Sequence, residues 1–208
     1  MNKKQTSRPT VVILGMGDTG VLVASRLNKR FRVIGVSTKT NLVSGQELGK
    51  RLADLPWWQT NYNTPLRQFK ALAGITLVHG KAEHLDISTN SVRIALSNGE
   101  TESIDYDYLV IASGTSNGFW RTDTVQSASE ITADLSHQAQ RVTAASSITV
   151  VGGGPTGVSV ALNIKRADPS KKVSLCVSGT LPLPGYQPSA RAFYQQALSD
   201  AGVDLLCQ

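Results

Sequence analysis

Two glycine triplets carry the clearest chemistry in this chain. Gly15, Gly17 and Gly20 lie in VVILGMGDTG, residues 11–20, and Gly152, Gly154 and Gly157 lie in ITVVGGGPTG, residues 148–157. Both have the spacing G-x-G-x-x-G. In such a turn the first glycine allows a tight bend, the second lets main chain approach a pyrophosphate, and the third lets helix pack closely on strand. The phosphates then rest at a helix N-terminus, where unpaired N–H groups and the helix dipole favour an anion. Asp18 and Thr19 in the first turn, and Pro155 and Thr156 in the second, fill the intervening positions. One triplet alone is weak evidence. Two of them, each between an apolar run and a helical pattern, point to two dinucleotides held side by side, which is a redox arrangement.

The elements that must position these turns follow from hydrophobic periodicity. Val11–Leu14 is a continuous apolar run of the parallel-strand type, Val21, Ala24 and Leu27 recur at helical spacing, and residues 31–36 return as a strand. That is a βαβ unit. Residues 37–74 are less regular and read as a long loop with short helices, with Trp57 and Trp58 more suited to packing than to a ligand. A strand is expected at 75–78, and an antiparallel meander over 80–105 with a tight turn at Asn98-Gly99. Another apolar strand follows over 108–112. Ile131, Leu135, Ala139 and Val142 share one helical face, which predicts an amphipathic helix over 129–145. The second unit then reads as a strand to Val151, a helix over 156–166, a strand over 173–177, a helix through Leu198 and a short strand over 203–206. The expected class is α/β, with tandem Rossmann-like units, parallel sheets and a small antiparallel meander. The expected domains are 1–128 and 129–208, the latter only half of a doubly wound nucleotide domain.

Composition narrows the class further. With 208 residues, 40% hydrophobic and 17% charged, the chain can bury a core. The net charge of +6 is scattered and forms no basic stripe, which argues against nucleic acid. The two cysteines, Cys176 and Cys207, form no C-x-x-C pair, and the three histidines lack ligand spacing, so no metal site is expected. No apolar run approaches the roughly 18 residues a spanning helix needs, and no signal-peptide core follows Met1; a cytoplasmic chain is expected. There is no Gly-x-Ser-x-Gly elbow and no Gly-Lys-Ser/Thr phosphate loop.

The order of motifs resembles the FAD-dependent pyridine-nucleotide oxidoreductases, in the branch of type II NADH dehydrogenases and apoptosis-inducing-factor-like proteins. The resemblance is carried by GMGDTG at 15–20, the meander, YDYLVIASG at 106–114 and GGGPTGV at 152–158. It implies that Gly15, Gly17 and Gly20 cradle the FAD pyrophosphate, that Ala82 offers main-chain contacts to the adenine, and that Ser113 and Gly114 pass near the flavin nucleotide. Gly152, Gly154 and Gly157 would hold NAD(P)H. It further implies electron transfer to a quinone, oxygen or similar small acceptor, and it leaves room for a homodimer and for a peripheral membrane contact through a C-terminal region beyond these residues.

Several positions depart from the family pattern. The acid that usually follows the second strand and binds ribose hydroxyls is replaced by Ser37-Thr38-Lys39, so Ser37 and Lys39 become candidates for a 2′-phosphate. The corresponding strand of the second unit ends in Val177-Ser178-Gly179, again without an acid, and Ser159 stands where the family carries a glutamate. Gln46 and Glu47 are the polar candidates in a flavin-flanking loop, and Trp120 lies near the expected cleft. The family's second flavin segment, an apolar strand ending in Gly-Asp, is absent from these 208 residues, so the resemblance implies a C-terminally truncated polypeptide. The alternative reading is a non-catalytic dinucleotide-binding module, or one part of a complex completed by another chain.

Overall fold

A computed structural model describes residues 8–116 and 122–207. Contacts divide the chain into two units: one runs up to Gly45 and resumes over Tyr62–Thr132, and the other comprises Gln46–Asn61 with the chain from Ala133 onward.

In the first unit, β1 (Thr10–Leu14) pairs in parallel with β2 (Arg32–Ser37) on one side and β8 (Tyr108–Ile111) on the other. A strand flanked on both edges and covered on both faces must be apolar at every position. Val11 and Ile13 accordingly point to one core with Met16, Ala24, Val33, Leu66 and Leu72, while Val12 points to the other with Ile34, Val36, Val92, Ile94 and Ile104. Helix α1 (Asp18–Leu27) buries Gly20 and Ala24. The irregular stretch contains a short antiparallel pair, β3 (Asn41–Val43) with β4 (Asn63–Pro65).

The strand and the start of the meander, expected as separate pieces, are one strand. β5 (Thr76–Asp86) runs parallel to β2 from Thr76 to His79, then antiparallel to β6 (Ser91–Leu96) from Gly80 onward. With β7 (Thr101–Asp105) this gives one mixed six-stranded sheet, ordered β7-β6-β5-β2-β1-β8. The shift from an apolar run to polar-tolerant alternation occurs inside β5: Leu77 packs on the Val11 cluster and Val78 on the Val12 cluster, whereas Ala82 and Leu85 of the later half pack on the Val12 cluster alone. Gly99, at φ +88°, closes the β6–β7 turn where the Asn-Gly pair predicts one.

The second unit has three parallel strands, ordered β11-β10-β9: β9 (Ser147–Val151), β10 (Lys172–Val177) and β11 (Asp204–Cys207). Helix α5 (Pro155–Ala167) follows β9 and buries Val158, Ala161 and Ile164. Helix α6 (Pro188–Ala201) begins with proline at its first turn and ends at Gly202, whose left-handed main chain (φ +77°) returns its N–H to the carbonyls of Leu198 and Ser199. Helix α4 (Ala128–Ala144) lies where periodicity predicts it, with Ile131 and Leu135 buried. Its last carbonyls are met by a buried lysine: Lys171 Nζ donates to Thr143 O and Ala145 O, both at 2.7 Å.

The contact boundary is not a single cut between 128 and 129. Helices α2 (Leu48–Ala53) and α3 (Leu55–Tyr62) belong to stretches expected in the first unit, yet residues 46–61 cluster with the second. The packing reason lies at Gly49, where an added Cβ would meet Ser159 Oγ at 2.5 Å and Asn163 Nδ2 at 2.8 Å. Two small residues let α2 cross α5 in close contact.

Candidate functional site

The first glycine turn is built against a wall. Gly15 sits at φ +97°, donates its N–H to Val36 O at 2.8 Å, and leaves no room for a side chain: a Cβ would lie 2.7 Å from the Ala112 carbonyl carbon and from Ser113 Cα. The Cβ position of Gly20 is filled by the Gly15 carbonyl, so strand and helix touch main chain to main chain. Gly17 caps α1 without any side-chain hydrogen bond, and a Cβ there would meet nothing within 4 Å. The N-terminus of α1 thus faces open space, which fits the pyrophosphate cradle expected of this spacing.

The surrounding residues are tied together over long sequence distances. The Asp18 carboxylate accepts from Ser44 Oγ and from Gly45 N, each at 2.8 Å, clasping the loop after β3 to the first turn of α1. Ser37 is buried, and its hydroxyl oxygen accepts from Lys39 N at 3.1 Å. Lys39 Nζ donates to Thr124 O at 2.7 Å and to Thr122 Oγ1 at 3.2 Å. The same segment meets the next strand of the sheet: Lys81 Nζ pairs with Asp123 at 2.6 Å, and a ring nitrogen of His79 lies 3.1 Å from Gln126 O. The hydrogen bond from Lys81, followed by its charge, holds the Asp123 carboxyl below the usual aspartate value, and hydrogen bonds from Ser127 do the same for Glu130. Residues 122–130 therefore form a carbonyl- and carboxylate-rich strap over the cationic end of β2 and β5. Ala82 is half-buried at the bulge of β5 and packs with the Val12 cluster. Ser113 and Gly114 follow β8 and are exposed, with Gly114 at φ +70°. Trp120 lies outside the described residues.

The second turn repeats the same main-chain plan without the wall. Gly152 sits at φ +112° and donates to Cys176 O at 2.9 Å, and its carbonyl fills the Cβ position of Gly157. Gly154 caps α5 with no side-chain bond, Pro155 takes the first helical position, and Thr156 is exposed. A Cβ on Gly152 or Gly154 would meet nothing within 4 Å. The structure thus gathers the first set of sequence candidates in one unit and the second set in the other.

The matches to known proteins follow this geometry. The sequence pattern described as pyridine nucleotide-disulphide oxidoreductase matches residues 9–208. The chain belongs to that family. Among curated relatives, the NAD(P)H coenzyme A polysulfide/persulfide reductase of Pyrococcus horikoshii is 29% identical over 191 residues, covering 84% of this chain and 41% of that protein. An NAD(P)H sulfur oxidoreductase (CoA-dependent) of Pyrococcus furiosus is 34% identical over 138 residues, covering 64% of this chain and 30% of that protein. The chain therefore spans less than half the length of these relatives. Among solved structures, NDH2 from Plasmodium falciparum in complex with NADH aligns with a TM-score of 0.72 at 17% identity, over 96% of this chain and 48% of that one. At that identity the likeness establishes the family's Rossmann-like fold.

Three features escaped sequence reasoning. Gly35 in β2 leaves the space for Met16, whose sulfur would lie 2.6 Å from a Cβ there. Leu183 adopts a left-handed conformation at φ +58° while 3% exposed, and its N–H donates to Gly153 O at 2.7 Å. Arg191 grips the same loop, with Nε on Pro182 O at 3.1 Å and an Nη on Leu181 O at 3.2 Å. The run Leu181-Pro182-Leu183-Pro184-Gly185 is rich in the residues that constrain a loop. The tryptophans divide as their surroundings dictate: Trp58 is wholly buried with Nε1 donating to Gln46 O at 2.9 Å, while Trp57 is 42% exposed beside Lys50. Among the described residues, no group of His, Cys, Asp and Glu is placed to hold a metal ion, and no helix is long and apolar enough to cross a membrane.

Proposed function

We propose that these residues supply the two dinucleotide-binding units of an FAD-dependent NAD(P)H oxidoreductase that delivers electrons to a quinone or similar small acceptor. The observation that carries this reading is the repeated turn: in each unit a parallel strand ends in a positive-φ glycine, and the following helix starts at an uncapped, unhindered glycine. Gly15, Gly17, Thr19 and Gly20 would hold the FAD pyrophosphate, with Ala82, Ser113 and Gly114 along the nucleotide and Ser37 and Lys39 near its ribose. Gly152, Gly154, Pro155, Thr156 and Gly157 would hold NAD(P)H. When bound, the flavin supplies the redox centre and the nicotinamide supplies the hydride. The chain contributes the cradle, the orientation and the walls.

Relatives of the chain are named for sulfur and persulfide reduction, but Cys176 and Cys207 here lie on neighbouring strands in non-facing register, Cys176 opposite Leu206 and Cys207 opposite Val177. In parallel strands such positions point to opposite faces, so the two cannot form a dithiol. This favours an acceptor reduced without a protein thiol relay from these residues, such as a quinone or oxygen.

A second reading, a binding module completed by another chain, is favoured by two open sheet edges. β8 and β9 each pair on one side only among the described residues, with Ile111 66% and Val151 83% exposed. One experiment separates the two. Purified protein reconstituted with FAD should absorb near about 450 nm, bleach anaerobically with NADH or NADPH and recover its colour on addition of a soluble quinone. Colourless protein that still binds a dinucleotide would transfer support to the module.

A further inference from the structure

A crevice of about 410 Å³ opens on the flank of the first unit, away from its glycine turn. Two short 3₁₀ turns, Leu66–Gln68 and Lys70–Leu72, form its wall: Phe69 N donates to Leu66 O, Leu72 N to Phe69 O, and Ile75 N to Leu72 O. Leu66 and Leu72 are buried, at 3% and 5% exposure, and Phe69, Ile75 and Leu77 pack half-buried on the same cluster. Asn28 Nδ2 donates to Ala73 O at 2.6 Å, which ties the rim to the C-terminal end of α1. The glycine turn opens at the other end of that helix, about 15 Å away for ten residues. The volume falls in the range of small-molecule sites, roughly 300–1,000 Å³.

The charge at the mouth has one sign. Arg67 and Lys70 line the crevice and are exposed, and neither side chain has a hydrogen bond or an ion pair among the described residues. Arg26, Lys29 and Arg30, at the end of α1 and in the loop after it, are exposed as well. No carboxylate side chain occurs in residues 19–46 or 55–82. These cations are spread along the sequence, and the fold gathers them where the end of α1 meets the 3₁₀ turns, so that their fields add at one apolar slot.

We propose that this crevice binds a fatty acid, its acyl chain against Leu66, Leu72 and Leu77 and its carboxylate met by Arg67 and Lys70. An apolar slot flanked by unpaired cations fits a ligand with an apolar body and one anionic end, and a guanidinium matches a carboxylate in shape as well as charge. The apolar surface is recessed: none of the large apolar side chains that protrude from the chain lies in residues 66–77, so nothing at the mouth is built to enter a bilayer. A hydrophilic polyanion would engage the cations and leave the apolar wall unused. The site is independent of the reading of either glycine turn.

The test is calorimetric titration of the full chain with decanoate, decanol and hexanoate, a readout that requires no turnover. Decanoate should bind at least about tenfold more tightly than decanol, because it alone carries the charge, and at least about thirtyfold more tightly than hexanoate, which buries four fewer methylenes. Arg67→Glu combined with Lys70→Glu should weaken decanoate about tenfold or more and leave decanol unchanged. Both positions are exposed, and unchanged thermal unfolding would confirm that the variant folds. Ala73→Trp, which fills the mouth, should weaken both ligands, and amide shifts induced by decanoate should centre on residues 66–77. Equal affinity for decanol and decanoate, or indifference to either variant, would overturn the proposal. So would shifts centred elsewhere, displacement of decanoate by inorganic phosphate at equal concentration, or capture of the protein by phosphatidylglycerol vesicles with no binding of monomeric decanoate.

Discussion

The two glycine turns share one main-chain plan and differ in what stands beside them. At the first, the strand neighbour β8 delivers Ala112 and Ser113 against Gly15, and Asp18 clasps the loop at Ser44 and Gly45 to the helix start. At the second, β9 is an edge strand, Gly152 faces open space, and uncharged Pro155 replaces the aspartate at the first helical position. The comparison teaches that the spacing G-x-G-x-x-G encodes the bend itself, while the tightness of the pocket is set by neighbours far away in sequence. The first turn is walled by its sheet, whereas the second is open at Gly152 and Gly154 and is bordered only at Gly153, by the loop that Leu183 and Arg191 hold in place.

Alanine at the first glycine of each turn should separate these contributions most sharply. Gly15→Ala imposes positive-φ strain and a main-chain collision together, and should cost about 3–5 kcal/mol in urea unfolding. Gly152→Ala imposes the strain alone, at about 1–3 kcal/mol. Equal losses would show that the Ala112–Ser113 wall yields, and that the two turns are alike after all. A smaller effect is expected at the clasp: Asp18→Ala removes two hydrogen bonds to a charged acceptor and should cost about 1–3 kcal/mol, with faster amide exchange at Gly45. Asp18→Asn should recover part of it. The smallest effect concerns the strap over Lys39 and Lys81. Because the Asp123 carboxyl is held below its ordinary value by Lys81, its contribution is present above the unfolded-state value and is lost as pH falls through the lowered one. Acidification through that range should therefore lower the protection factor of the Gln126 amide, which donates to Thr38 O, relative to the intrinsic exchange rate at each pH, while Lys81→Met should give the lower protection already at neutral pH. An amide indifferent to both would show that the strap is held by Lys39 and the backbone bridge alone.

Much of the fold was legible because it rests on local rules. β1 reads as an apolar run since both faces are covered; α6 is expected through Leu198 and runs on to Ala201, where Gly202 ends it; the Asn98-Gly99 turn supplies its own positive φ. Over 37–74 the irregular chain with short helices was legible, but the pairing of β3 with β4 was not: it joins Asn41 to Pro65, so no single window carries the signal. The assignment of residues 46–61 to the second unit depends on Gly49 meeting Ser159, a contact between residues more than a hundred positions apart. Likewise Lys39 was seen as a candidate for a phosphate, but its bonds to Thr122 and Thr124 span 83 and 85 positions.

By itself the sequence determined where the chain must bend and which helices begin at open N-termini, because glycine sterics, proline geometry and hydrophobic period act within a few residues. Only the tertiary structure decided which bend is walled and which is open, which cations are covered and which loop is locked. Those outcomes depend on strand order and on side chains brought together from distant segments, and no local rule reports them.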